Sequence, residues 1–458
     1  MAENDQRPDP DDEQPQDPFS QLFGQFMGGA TPGQPGGGMP DPASMQAMFS
    51  QLQSFFGAMA SGNDGSPVNW TLAKDTAHRQ LKESRSVTAA EARDVAEAAA
   101  LAQLWLDAST DFADAGGPVR ALSRSEWVDA SLPQWQGLAE PVALSASKAV
   151  SGSLESQLGA QLPPELAGFM GQAGGMLSSL GGAMFGAQLG GAVATLAAEV
   201  LGGTDAGIPL SGRGFALVPQ NLEAFGEGLS QPRQEVVLYL ALREAAHVRL
   251  FHGAPWLQEH VLGLVKDFAS GITIDTSAIQ EKLQGVDPTR PEAVAELMSG
   301  GLVEPSTTPR QKEALERLET TLALIEGWVD VVVTAASANL PAAPALRETL
   351  RRRRALGGPG EQAFAGLVGL QLRPRRAREA SALWELIAQD QGIEARDALW
   401  AEAGLVPTAE DLDDPAGFKA RRALLTASEE DFDAAMAAWL EPKKPASEDE
   451  QDGGAPSA

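Results

Sequence analysis

The chain carries no charged side chain between Glu165 and Glu199. Within this stretch, small residues recur at every fourth position: Ser178, Gly182, Gly186, Gly190, Ala194 and Ala198. Residues four apart lie on one side of a helix, so this side is almost bare and a second helix can approach it closely. Gly, Ser and Gln are frequent and apolar bulk is low for a membrane span. The stretch therefore predicts a buried helix in a fold built by close helix packing, with membrane insertion as the less favoured alternative.

The other apolar repeats also have helical spacing, which predicts a mainly α fold with at most a short β-ribbon. Helices are expected at 86–113, 236–251, 293–298, 315–333, 363–370, 377–387 and 432–440. Residues 210–218 are too rich in glycine for a helix and are the expected place of the ribbon. The nine tryptophans are expected to anchor the core or an interface.

The two ends of the chain differ in composition from its middle. Residues 1–66 are dense in Pro, Gly, Gln and Asp, which predicts a disordered acidic arm. Two short Phe/Met-rich segments in this arm, 19–27 and 45–59, would either dock in a partner's groove or fold back onto the domain. Residues 441–458 are expected to form a polar acidic tail. Residues 67–440 are then predicted to form one helical domain.

Charge limits the partners of the chain. The 62 acidic and 34 basic residues give a net charge of −28, which argues against binding to nucleic acid or to anionic membranes. Two arginine clusters depart from this balance: Arg351 to Arg354, and Arg373, Arg375, Arg376 and Arg378. Each cluster is either a solvated face that neutralises nearby carboxylates or a holder of an acidic partner or a phosphate. With no cysteine and no apolar leader visible, the expected location is the cytoplasm.

The residues with the most chemical content lie on a predicted helix over 233–252. Ser230 is its expected N-cap, Pro232 lies in its first turn, and Gly253 and Pro255 follow its end. Arg243 and His247 share a face with apolar neighbours, so each is expected to need a hydrogen-bonded partner in the core.

A second predicted helix offers those partners. It is opened by a capping box, Thr308-Pro309-Arg310-Gln311. Glu326 and Asp330 are four residues apart on one apolar face of this helix, and Gly327 between them would permit close packing. A buried pair of carboxylates calls for a cation or a metal ion.

The segment Arg243-Glu244-Ala245-Ala246-His247 has the outline of an H-E-x-x-H helix, in which two histidines bind zinc and the glutamate polarises the attacking water. Together with Leu324-Ile325-Glu326-Gly327 and the segments 248–251, 255–257, 358–361, 367–370, 399–400 and 407–408, it resembles the zincin-like metallopeptidases common in actinobacteria. The resemblance covers residues 70–440. It implies a zincin-like hydrolase acting on a peptide or protein, with Glu244 as the general base and His247 and Glu326 as zinc ligands.

Arg243 departs from this pattern at the position of the first zinc ligand. A guanidinium has no lone pair for a metal, and two remaining protein donors fall short of the three usual at a catalytic zinc site. His260 or Asp330 would have to complete the set, since His252 projects about 140° away from His247 on a helix.

The alternative is that Arg243 takes the place of the metal and pairs with Glu326 or Asp330. The chain would then be a non-catalytic pseudoenzyme that binds a peptide or a protein. A separation of about 2.7 to 2.9 Å between Arg243 and Glu326 would indicate such a pair. Distances of about 2.0 to 2.2 Å from His247 and Glu326 to a common ion would indicate zinc.

Overall fold

The computed structural model describes residues 66–81, 83–158, 164–271, 308–357, 362, 365 and 374–426. Residues 1–65 of the predicted arm and the whole predicted tail lie outside this part of the chain. The helices predicted at 293–298 and 432–440, and that at 363–370 apart from residue 365, lie outside it too. The described residues form helices joined by a minimal sheet, which confirms the mainly α prediction.

The described helices are α1 (Trp70–Gln80), α2 (Ala89–Leu106), α3 (Arg124–Leu158), α4 (Pro164–Ala197), α5 (Pro219–Gly226), α6 (Arg233–Gly253), α7 (Trp256–Ser270), α8 (Pro309–Ala336), α9 (Ala343–Leu356), α10 (Ala377–Gln391), α11 (Ile393–Ala398), α12 (Ala409–Asp413) and α13 (Phe418–Thr426), with a 3-10 turn at Pro415–Gly417. Two strands, β1 (Arg120–Ala121) and β2 (Ala216–Leu217), pair in parallel. β2 lies near the end of the segment 210–218, where the ribbon is predicted. Its partner β1 lies just before α3 in the chain.

The stripe of small residues on α4 is covered by α1. Asn69, which caps α1, donates its backbone N–H to the carbonyl of Gly182 over 3.0 Å. A Cβ added at Gly186 would lie 2.5 Å from the Asn69 carbonyl oxygen, and one at Gly190 would collide with the carbonyl of Ala73. The bare side therefore allows backbone-to-backbone approach, as the spacing predicts. None of the described helices combines the length and the apolar character that a membrane span requires.

Helix α8 lies against α6, α7 and α10 at the centre of the fold. Both halves of the predicted capping box form, since Thr308 Oγ1 accepts from the Gln311 amide and the Gln311 side chain accepts from Thr308. A Cβ at Gly327 would lie 2.6 Å from Ala380 Cβ, so this glycine does admit α10 closely. Trp328 is fully buried in this core, as expected of the tryptophans.

Two predicted helix ends are wrong, by two residues at the start of α6 and by seven at the end of α2. Pro232, rather than Ser230, occupies the N-cap position of α6, because its carbonyl accepts the first helical bond from Val236. Helix α2 stops at Leu106 instead of 113. The chain turns there because Thr110 is drawn into a buried side-chain network.

That network centres on the buried carboxylate of Asp397, next to α8. It accepts hydrogen bonds from Trp328 Nε1 at 2.8 Å, Thr110 Oγ1 at 2.6 Å, the Asp111 amide at 2.8 Å and Arg396 Nε at 2.7 Å. One carboxylate therefore ties α8, α11 and the segment after α2 together.

Candidate functional site

Helix α6 brings three polar side chains into the core. Arg243, Glu244 and His247 expose only 8%, 4% and 2% of their surface. Arg243 and His247 lie one turn apart on the side that faces α8, whereas Glu244 is rotated by about 100° toward the β2 side. The motif is therefore divided between two environments.

Arg243 and His247 meet on the carboxylate of Glu326 from α8. Arg243 Nη2 lies 2.7 Å from Glu326 Oε2, and His247 Nε2 lies 3.0 Å from Glu326 Oε1. Arg354 of α9 also contacts Glu326 Oε1 through its Nη1 atom. These four residues, Arg243, His247, Glu326 and Arg354, are referred to below as the Glu326 cluster.

The hydrogen bonds of His247 indicate which of its nitrogen atoms carry hydrogen. Nδ1 lies 2.9 Å from the backbone carbonyl oxygen of Arg243, and a carbonyl can only accept. Nε2 faces a carboxylate, which when ionised can also only accept. Both ring nitrogens are therefore engaged by oxygen atoms of the protein.

The charges of the cluster reinforce one another. Burial alone would raise the pKa of Glu326, but the charges of Arg354 and Arg243 and the hydrogen bond with His247 hold it well below its usual range. Burial likewise acts to lower the pKa of Arg243, and attraction to Glu326 raises it above its ordinary value instead. Glu326 is thus an ionised carboxylate inside the protein, surrounded by positive charge.

Glu244 points to the loop before β2. Its Oε2 atom accepts from the Thr204 hydroxyl at 2.6 Å and the Thr204 amide at 3.1 Å, and its Oε1 atom accepts from the amides of Gly203 at 3.1 Å and Ala216 at 3.3 Å. A Cβ at Gly202 would lie 2.6 Å from Oε2, so glycine is required for this approach. Burial raises the pKa of Glu244 more than these hydrogen bonds and His247 lower it. Glu244 thereby connects α6 to the small sheet.

Asp330 does not pair with Arg243 but with arginines of α9. Arg347 binds it in bidentate fashion through Nε at 2.8 Å and Nη2 at 2.5 Å, and Arg351 Nη2 lies 2.7 Å away. Ser381 donates a further hydrogen bond over 3.1 Å. Burial would raise the pKa of Asp330, but Arg347 and Arg351 lower it.

The two other histidines near the motif do not join the cluster. His260 lies on α7, where its ring packs edge-on against Trp256 at 5.5 Å between ring centroids. Burial and the nearby Arg317 lower its pKa. His252, at the end of α6, is exposed. In the described chain, neither forms a hydrogen bond or ion pair with Arg243, His247 or Glu326.

These side chains do not fit a zinc ion. Both oxygens of Glu326 and both nitrogens of His247 already face protein partners, and two guanidinium groups border the place that a metal would take. A third ligand is missing, because the described residues contain no group of three or more His, Asp or Glu side chains arranged to hold a metal ion. The donor set instead suits an ion-pair network.

Sequence reasoning did not find Arg354 or Thr204 as members of the site. Arg354 belongs to a predicted arginine cluster, but nothing in that cluster indicates which of its members faces the core. The spacing of Arg347, Arg351 and Arg354 at i, i+4 and i+7 places all three on one helix face and would have been the available signal. Thr204 and its flanking glycines carry no pattern that points to Glu244.

Comparison with known proteins agrees with this architecture. A family model described as zincin-like metallopeptidase matches residues 68–418. One crystal structure, of a protein from Chloroflexus aurantiacus described as "a putative hydrolase with a novel fold", has a TM-score of 0.54 at 18% identity. The match covers 79% of this chain and 100% of that one, and at this identity it shows a shared fold. No curated protein matches the chain.

Proposed function

The chain belongs to the family of zincin-like metallopeptidases, and from this premise we propose that it is a binding protein that has exchanged the catalytic zinc ion for arginine side chains. In this proposal Arg243 and Arg354 supply the positive charge that a metal ion supplies in a zincin. The cleft beside Arg243, Glu326 and Arg354 then holds a peptide or protein ligand without hydrolysing it.

The observation that carries the proposal is the state of Glu326. By family resemblance it is the third zinc ligand, yet Arg243 takes one of its oxygens and His247 and Arg354 take the other. A metal ion would have to displace buried, charge-assisted hydrogen bonds before it gained a ligand.

The position of Glu244 supports the same proposal. A general base has to reach the water that it activates, directly or through one water molecule. Of the four hydrogen bonds described for the Glu244 carboxylate, three come from Gly203 and Thr204 in the loop before β2 and one from Ala216 in β2, and none goes to the Glu326 cluster. Its oxygens thus have a structural use in holding Gly203, Thr204 and Ala216.

The test is zinc stoichiometry in the purified full-length protein and in the Arg243→His variant. After incubation with zinc and removal of the free metal, elemental analysis should find well under one zinc per chain in the wild type. Arg243→His restores the residue type of the family motif and should raise the zinc content toward one per chain. If Arg354 still occupies Glu326, the double variant Arg243→His/Arg354→Gln should show the gain.

One combination of results would overturn the proposal. A wild-type protein that holds stoichiometric zinc and cleaves a peptide, with cleavage abolished by a metal chelator and recovered when zinc is added back, would be a metallopeptidase. Wild-type cleavage should be assayed against a mixture of unstructured peptides, since the proposal predicts no product above the level of a zinc-free blank.

A further inference from the structure

An arginine-rich cavity of about 590 Å³ opens beside the Glu326 cluster, between α8, α9 and the start of α10. Its lining includes six arginines: Arg243, Arg347, Arg351, Arg354, Arg375 and Arg378. Among the described residues, the lining has three acidic side chains: Glu326, Asp330 and Glu379. The cavity therefore carries an excess of positive charge in a chain whose net charge is −28.

Arg347 and Arg351 of α9 have further N–H groups available to a ligand besides those that bind Asp330. Arg347 uses two of its five N–H groups on Asp330, and Arg351 uses one. Their side chains remain about a third exposed, at 30% and 32%. Asp330 thus fixes the two guanidinium groups at the cavity wall without covering them.

The mouth of the cavity is also positive. Arg375, whose Nε atom lies 3.5 Å from Glu319, and the exposed Arg378 flank it. Arg378 forms no ion pair with any residue in the described part of the chain. The first turn of α10 opens there as well, and no side chain caps that end of the helix. The free N–H groups at a helix N-terminus favour anions, so the backbone adds to the positive potential of the arginines.

We propose that this cavity is a binding site for a small ligand with at least two adjacent anionic groups, carboxylate or phosphate. This deepens the proposed function, on which it rests, by naming the chemistry that the cleft recognises. Arginine forks match both groups in bidentate geometry. A cavity of this volume suits a small molecule or a few residues of a peptide, whereas the net charge of the chain opposes a large polyanion.

The arrangement of α9 provides a matched control. Arg352 lies between the cavity arginines in sequence but faces solvent, with 75% of its side chain exposed and an i,i+4 pair to Glu348. Arg378, on α10, is also exposed to solvent yet lines the cavity. Arg378→Gln and Arg352→Gln therefore remove the same charge at two surface positions that differ in their relation to the cavity.

The experiment is calorimetric titration of the full-length protein with three probes. These are pyrophosphate, the acidic peptide Ala-Ala-Asp-Asp and its neutral counterpart Ala-Ala-Asn-Asn. At least one acidic probe should bind at about one per chain, more weakly as NaCl rises from about 50 to 200 mM. Arg378→Gln should weaken this binding about tenfold, the loss expected for one charge-assisted hydrogen bond, while Arg352→Gln should change it less than about twofold.

The pattern of results identifies the source of the anionic group. Preference for pyrophosphate would indicate a phosphate-bearing ligand, and preference for the acidic peptide would indicate a carboxylate-bearing one. Equal binding of the neutral peptide, equal effects of the two variants or no binding of either acidic probe would overturn the inference. Zinc content is measured separately, so a failed proposed function would appear as bound metal and a failed anion site as absent binding.

Discussion

Replacing Glu326 with glutamine should destabilise the protein strongly, because the carboxylate is the common partner of Arg243, Arg354 and His247. The side chain is 4% exposed and accepts from Arg243 and His247 while it also meets Arg354. Glutamine has nearly the same shape but removes the charge, and its NH₂ group presents hydrogen to donors that need an acceptor. Breaking a buried ion pair from one side costs about 3 to 5 kcal/mol. We expect the unfolding free energy to fall by about that amount.

Urea denaturation followed by tryptophan fluorescence measures this change. With a slope of about 3 kcal/mol per M for a protein of this size, the midpoint should fall by about 1 to 1.7 M. Glu319→Gln is the control, since Glu319 lies on the same helix but pairs with Arg375 over 3.5 Å near the surface. Glu319→Gln should lower the free energy of unfolding by less than about 1 kcal/mol. If the two variants were equally stable, the Glu326 cluster would not be the electrostatic centre described above.

The same variant separates the effect of pH on Glu326 from that on other groups. The pKa of Glu326 in the folded protein lies well below its usual value, so this carboxylate stabilises the fold above the unfolded pKa of about 4.3. That contribution is lost as the pH falls through the folded pKa. The stability difference between wild type and Glu326→Gln should therefore shrink as the pH falls below about 4.3. A difference that stayed constant or grew below that pH would refute the assigned charge.

Three further substitutions test the packing and the buried networks. Gly186→Ala should lower the free energy of unfolding, measured by urea denaturation, by about 1 to 3 kcal/mol, because its Cβ would lie 2.5 Å from the Asn69 carbonyl oxygen. Gly181→Ala is the control on the same helix: its Cβ would meet nothing within 4 Å, so its stability should be unchanged or slightly raised. Glu244→Gln should cost about 3 kcal/mol, measured by urea denaturation, since an amide leaves donors of the loop before β2 without an acceptor. Asp397→Asn should cost about as much by the same measurement, because it leaves the buried Arg396 without a charged partner.

The fold followed from the sequence where local patterns have a single physical meaning. The small-residue stripe around Gly186 predicted close helix approach, and α1 lies there. The capping box at Thr308 and the glycine at 327 predicted how α8 begins and how it packs, and both predictions are confirmed. Helix ends were less predictable, because Asp397 is distant in sequence and still decides where the chain leaves α2.

The site followed from the sequence only in part. Spacing placed Arg243 and His247 on one face and offered Glu326 or Asp330 as the partner on a second helix, because residues four apart share a helix face. Arg354 escaped prediction, because a run of four arginines gives no orientation until α9 has a position relative to α8. The direction of Glu244 also depends on tertiary structure, since its acceptor atoms are satisfied by a loop some 30 to 40 residues earlier.

The positive charge around Glu326 comes from more than one helix. Arg243 of α6 pairs with one carboxylate oxygen, while Arg354 of α9 and His247 of α6 contact the other. Arg353 and Arg354 also bind Asp205, in the loop that Glu244 holds, so the network extends from α8 to the small sheet. The cationic side of the site is therefore built into the packing of α8 with α6 and α9, so we expect Arg243→His/Arg354→Gln to bind more zinc than Arg243→His alone.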